Sequence, residues 1–164
     1  MKLSQELRQA RLNITGEGNW TVGTLHRPKM SGKGFAYCAL GAVIVKDGYL
    51  LFMMDFTKKT DALFAVLQRR YLAGELPEPV FGGSMSSPQP WALMFSWDQK
   101  CGDRTSNQMN REQAITQFNN STSQADVLDL FDEAISDAEA KERAEETNST
   151  KIIDLTPEME HAGT

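Results

Sequence analysis

A cysteine that begins a helix can be an activated nucleophile. The partial positive charge at the helix N-terminus favours the thiolate and lowers the thiol pKa. Cys38 is the residue of this chain that fits such a role, at the head of the small-residue run Cys38-Ala39-Leu40-Gly41-Ala42. A cysteine hydrolase or transferase also needs a base and a group that orients it. The chain holds two histidines, His26 and His161, and Asn119 is a conceivable orienter, so the set would be Cys38, His26 and Asn119. Against this stands the ordinary fate of cysteine, which packs as a small hydrophobe in cores. Flanked by Tyr37, Ala39 and Leu40, Cys38 reads first as core.

Other chemistries have thinner support. Arg27, Lys29 and Lys33 share a loop with Gly32 and Gly34, where cations and backbone amides together suit an anion. Trp20 and Asn120 are further weak candidates for ligand contact. No Walker motif or dinucleotide fingerprint occurs. Cys38 and Cys101 with two histidines show no metal-ligand spacing, so neither a metal nor another cofactor is expected. Nothing approaches the basic stripe of a DNA binder, and direct nucleic-acid binding is not expected.

These residues sit in a chain of 164 residues, a length that suits one domain. A hydrophobic content of 40% and a charged content of 24% are ordinary for a folded protein. The start of the chain lacks an apolar signal core, no stretch is long enough to span a bilayer, and two cysteines make no disulfide framework. A cytoplasmic location is the resulting expectation. The net charge of −5 is unevenly placed: from Asp126 onward twelve acidic residues stand against Lys141, Arg143 and Lys151. The remainder is mildly basic. A solvated acidic helix face and tail is the simplest account.

The pattern predicts a mainly α, compact single domain of about four to five helices with a long irregular middle segment. Leu3, Leu7, Ala10, Leu12 and Ile14 form a rough stripe over residues 2–15, ended by Gly16-Glu17-Gly18. His26 to Gly34 reads as a loop. Near Cys38 a short buried helix is favoured. A small β-hairpin near 43–54 is the alternative there, because Asp47-Gly48 is a hairpin signal. A helix over Asp61 to Ala73 takes Thr60 as its cap and Gly74 as its stop. Prolines from Pro77 to Pro90 preclude regular structure, an aromatic segment covers Trp91 to Trp97, and a polar loop covers Asp98 to Asn107. A short helix spans Arg111 to Gln117, and Phe118-Asn119-Asn120 reads as a turn. Ser123 with Asp126 forms a capping box for a last helix running to about Glu146. Residues 1–146 form the domain, and 147–164 form an acidic, flexible tail carrying Ile152, Ile153 and Leu155.

Four short elements in order resemble an uncharacterised family of small actinobacterial and bacteriophage proteins. They are Trp20-Thr21-Val22-Gly23, Cys38-Ala39-Leu40-Gly41-Ala42, Phe118-Asn119-Asn120, and Asp126-Val127-Leu128 with Phe131-Asp132 and Ala134-Ile135. The family pattern usually has Asp where this chain has Asn120, which leaves any carboxylate role there without its residue. The resemblance covers both flanks but not residues 46–110. It implies a bacterial or phage origin and a compact helical fold, and it brings no activity.

The expectation is therefore a non-enzymatic binding protein, acting on a host protein or sequestering a small, anionic ligand. The cysteine enzyme centred on Cys38 is the alternative. An acidic mimic of nucleic acid ranks third, since the body of the chain is basic.

Overall fold

The computed structural model describes residues 1–50, 57–80, 88–97 and 104–162. Six helices and two short antiparallel pairs of strands occur among them: α1 (Leu3–Leu12), β1 (His26–Pro28), β2 (Phe35–Tyr37), α2 (Ala39–Ile44), β3 (Val45–Lys46), β4 (Tyr49–Leu50), α3 (Thr57–Leu72), α4 (Trp91–Trp97), α5 (Arg104–Ser121) and α6 (Gln124–Ala162). The chain is mainly helical and forms one compact domain.

α6 is the axis of the bundle. Ser123 caps it as the sequence implies: its Oγ accepts from the Asp126 amide at 3.3 Å and donates to the Asp126 carboxylate at 3.1 Å. Val127, Leu130, Phe131 and Ala134 recur at helical spacing and are fully buried. The helix continues to Ala162, beyond the Glu146 end suggested by the pattern. α1 runs antiparallel along it with Leu7, Ala10 and Ile14 buried between them. Burying each large aliphatic chain of this kind contributes roughly 1.5–3 kcal/mol.

A polar ladder flanks that apolar seam. Lys2 pairs with Glu146 at 2.7 Å, Arg8 pairs with Glu139, and Arg11 pairs with Asp132 at 2.7 Å. Between them Glu142 accepts from the Ser4 hydroxyl at 2.7 Å and from the Ser4 amide at 3.1 Å. α3 grips the same helix from another side, with Arg69 on Glu133 at 2.8 Å and on Asp137 at 3.0 Å. Gln124 then closes the free end of α1, donating to the carbonyls of Ile14 and Gly16 at 2.8 Å each. Much of the acidic face expected to be merely solvated is thus paired with α1 and α3.

Around Cys38 helix and hairpin both occur. α2 occupies Ala39–Ile44, and β3 and β4 follow around Asp47 and Gly48. Both turn residues have positive φ, 51° and 83°, as a two-residue hairpin requires. The remainder of the hairpin range expected near 43–54, from residue 51 onward, lies outside the described residues.

Four expectations need correction. The loop from His26 to Gly34 contains a second hairpin, with His26 opposite Tyr37, Arg27 opposite Ala36 and Pro28 opposite Phe35. Strands of three residues are too short to show an alternating pattern. α3 begins at Thr57, so Thr60 lies inside the helix, fully buried, rather than capping it. Lys59 from this added turn donates to the Val43 carbonyl near the end of α2 at 2.9 Å, a tertiary tie that no local signal reveals. The stop at Gly74 holds, with the Gly74 amide on the Tyr71 carbonyl and the Glu75 amide on the Arg70 carbonyl.

The third correction concerns α5, which spans Arg104–Ser121 rather than Arg111 to Gln117. The polar loop assigned to Asp98 to Asn107 is helical from Arg104, and its earlier part lies outside the described residues. The fourth is that Phe118, Asn119 and Asn120 belong to the last turn of that helix, not to a turn after it. Trp91 to Trp97 forms the short helix α4, with Phe95 packed on Phe64 and Tyr71 and stacked with Trp91.

The Ser4 hydrogen bonds hold the Glu142 carboxyl below its ordinary pKa, with the Lys2 and Arg8 cations adding to the effect. Such a group contributes stability above its unfolded value, ~4.3, and loses the contribution as pH falls through the lower folded value. Ser4→Ala should therefore lower the thermal midpoint at neutral pH, and the gap to the unsubstituted chain should close in acid. A gap independent of pH would show that Ser4 acts by packing alone.

Candidate functional site

Long irregular segments carry backbone amides and carbonyls with no ladder to satisfy them, and buried ones must find partners. Residues 13–25, 75–80 and 88–90 pose that problem here. α5 answers it with side-chain amides. Gln117, fully buried, accepts from the Gln89 amide at 3.0 Å and donates to the Gln89 carbonyl at 2.9 Å. Asn110 donates to the Met94 carbonyl, and the Ser121 hydroxyl accepts from the Val80 amide at 2.9 Å.

Asn119 is the centre of this arrangement. Its side chain is fully buried, and its Oδ1 accepts from the Trp20 indole at 2.7 Å and from the Ala39 amide at 2.9 Å. Its Nδ2 donates to the Thr21 carbonyl at 3.0 Å and to Asn120 Oδ1 at 3.3 Å. Donors on one side and acceptors on the other determine the orientation of the amide. Asn120 Oδ1 also accepts from the Gly23 amide at 2.9 Å, while its Nδ2 is buried without a hydrogen-bond partner. One residue pair at the end of α5 thereby holds the Trp20–Gly23 segment and the start of α2 together.

Cys38 belongs to the same cluster. It is 1% exposed and is the residue immediately before α2, where its Sγ accepts from the Gly41 amide at 3.3 Å. Its own amide donates to the Leu25 carbonyl at 3.1 Å. Burial pushes the thiol pKa up, and the hydrogen bond from Gly41 offsets only part of that. Desolvation thus outweighs the backbone hydrogen bonds at the start of α2. Gly41 leaves no room for a side chain: a Cβ there would lie 2.0 Å from the Leu25 oxygen. The Leu25 backbone can approach α2 so closely only because this residue is glycine.

The structure therefore brings Cys38, Asn119, Asn120 and Trp20 into one cluster and leaves the remaining sequence candidates outside it. His26 lies exposed on β1, with its ring edge-on to Phe35 at 4.9 Å and near Tyr37 at 6.5 Å. Among the described residues it makes no side-chain hydrogen bond to Cys38 or Asn119. Arg27 and Lys33 are exposed on the same hairpin, and Lys29 is half-buried. Cys101 lies outside the described residues. Sequence reasoning missed Gln117 and Gly41, whose importance comes from backbone that approaches from distant segments.

The fold and cluster define a small helical domain whose irregular segments are fastened by buried amides. The sequence model of a family described as "Family of unknown function (DUF6197)" matches residues 1–137, and the chain belongs to that family. The match runs through the middle of the chain as well as the flanks that carry the short motifs. No curated protein and no solved structure matches the chain. The tryptophan-glycine, cysteine-glycine and aromatic-Asn elements, far apart in sequence, are the three that meet at Asn119.

Two substitutions at neighbouring asparagines should differ sharply. Asn119→Asp keeps the acceptor but loses both donors and buries a charge against the Thr21 carbonyl, which should cost about 2–5 kcal/mol. That penalty grows as pH rises above the free carboxyl value of ~3.9. Asn120→Asp retains an acceptor for Gly23 and Asn119 and replaces a donor that has no partner, so in acid a change below about 1 kcal/mol is expected. A further cost at neutral pH stays smaller than at Asn119, because Asn120 is only half-buried. Urea unfolding in acid and at neutral pH measures both. Gly41→Ala gives an independent check. Helix propensity alone would make it stabilising by roughly 1 kcal/mol, whereas the clash with Leu25 should destabilise by about 1–3 kcal/mol.

Proposed function

We propose that this chain is a non-enzymatic binding protein of bacterial or phage origin, working in a cytoplasm on a host protein or a small anionic ligand. The observation that carries this reading is the division of labour around Asn119. Cys38 Sγ and the Asn119 amide are committed to hydrogen bonds with backbone groups and with the Trp20 indole. The hairpin anchored beside them presents side chains outward. Met30 is fully exposed at its turn, and Arg27, Lys33 and Phe35 are exposed around it. A rigid base under an exposed, mixed cationic and apolar surface suits recognition. Interfaces are enriched in aromatic, Met and Arg side chains.

A cysteine enzyme needs an accessible thiolate, and the buried thiol of Cys38 has its pKa moved the other way. Thiol labelling across pH, in a Cys101→Ala background, separates the two readings. The binding reading expects Cys38 to react only when the protein unfolds. Fast labelling of the native chain, with an apparent pKa below the free-thiol value of ~8.5, would replace it with a cysteine-dependent hydrolase or transferase. The binding reading also expects a host-lysate protein to be retained by the intact chain and lost when Arg27, Lys29 and Lys33 are all changed to Ala.

A further inference from the structure

Several arginines of this protein are committed to ion pairs within the fold. Arg8, Arg11, Arg69 and Arg111 each face a carboxylate on another helix. Arg27, Lys29 and Lys33 form no ion pair among the described residues. The sequence around them offers none locally, because no acidic residue occurs between Glu17 and Asp47. Among the described residues the β1–β2 hairpin is therefore an unpaired positive surface on a chain whose net charge is −5.

Its apolar groups are ordered in the same place. The register sets Pro28 opposite Phe35 and His26 opposite Tyr37, which puts the His26 and Phe35 rings in edge-on contact at 4.9 Å. Phe35 remains 37% exposed and Met30 projects wholly into solvent. The outer edge of β1 is poorly suited to pairing with another strand. Pro28 has no amide hydrogen, and the Thr24 hydroxyl already donates to the His26 carbonyl at 3.1 Å. Recognition at this surface must come from side chains.

From this we infer that the hairpin binds an acidic protein segment bearing apolar side chains. Carboxylates meet Arg27, Lys29 and Lys33, and apolar groups meet Met30 and Phe35. This rests on the binding-protein reading and names its partner class. Charge complementarity selects an anionic partner, and the apolar groups favour protein over polynucleotide. Three cations neutralise few phosphates. A single strand needs open ring faces to stack on, whereas His26 is turned edge-on to Phe35. A thioether at the turn is an adaptable protein contact.

The test measures fluorescence anisotropy of three probes on the full chain: a peptide of Glu-Glu-Leu repeats, its Gln-Gln-Leu counterpart, and an oligothymidylate. The acidic peptide should bind and the glutamine peptide should not. Replacing Arg27, Lys29 and Lys33 together by Ala should weaken binding about tenfold or more, ~1.4 kcal/mol per decade. Met30→Ala should weaken it several-fold, and salt near 1 M, where screening acts over ~3 Å, should abolish it. Unchanged thermal midpoints would show that the surface variants fold. Tighter, hairpin-dependent binding of the oligothymidylate would overturn the inference in favour of a polynucleotide. Undiminished peptide binding by the triple variant would overturn it by moving the site elsewhere. No binding of either probe would also overturn it. In that case retention of a host-lysate protein by the intact chain would leave the binding-protein reading standing, and the absence of any retained protein would count against that reading too.

Discussion

The structure depends on buried side-chain amides that satisfy backbone groups which no helix or sheet can serve. An unpaired buried amide or carbonyl costs roughly 1–3 kcal/mol, and the irregular segments bring several into the interior. Asn119 alone pairs the Trp20 indole, the Ala39 amide and the Thr21 carbonyl. Gln117 does the same for both backbone groups of Gln89. Without these bonds the apolar contacts of Leu7, Ile14 and α2 would remain favourable, but the segment between them would have no defined path.

Charge is organised by a second, weaker constraint. Among the described residues five carboxylates of α6 are met within the molecule by Lys2 and by cations of α1 and α3, so part of the asymmetry read from the sequence describes internal docking. Surface pairs are individually worth little, ~0–1 kcal/mol, and their main effect is on register. Lys2, Ser4, Arg8 and Arg11 set α1 against successive turns of α6. Arg27, Lys29 and Lys33 on the β1–β2 hairpin form no ion pair among the described residues and have no acidic residue near them in sequence, which makes the hairpin an electrostatically distinct part of the surface.

Helices with an apolar stripe and a capping signal were legible: α1 through Leu7, Ala10 and Ile14, and α6 through Ser123 with Asp126. The Asp47-Gly48 turn was legible too, because positive φ limits which residues can occupy it. α5 was read too short because its buried face includes Gln117 and Asn119, so the hydrophobic period is faint. Its asparagines, taken for turn formers, are helical because their side chains bond to segments distant in sequence rather than to their own backbone. The candidate cluster was half legible: Cys38, Asn119, Asn120 and Trp20 were singled out, and their convergence was not.

Composition, periodicity and capping residues by themselves determined a mainly helical chain, the capped start and apolar face of α6, and the segregation of charge. These follow from interactions within a few residues, which the sequence displays directly. Tertiary structure decided that Asn119 binds Trp20, that Gly41 admits the Leu25 backbone, and that Cys38 is a buried cap with its thiol pKa raised. Each depends on atoms supplied by chain segments far apart in sequence. Hydrogen-bond geometry and close approach act only through space, and local pattern does not encode them.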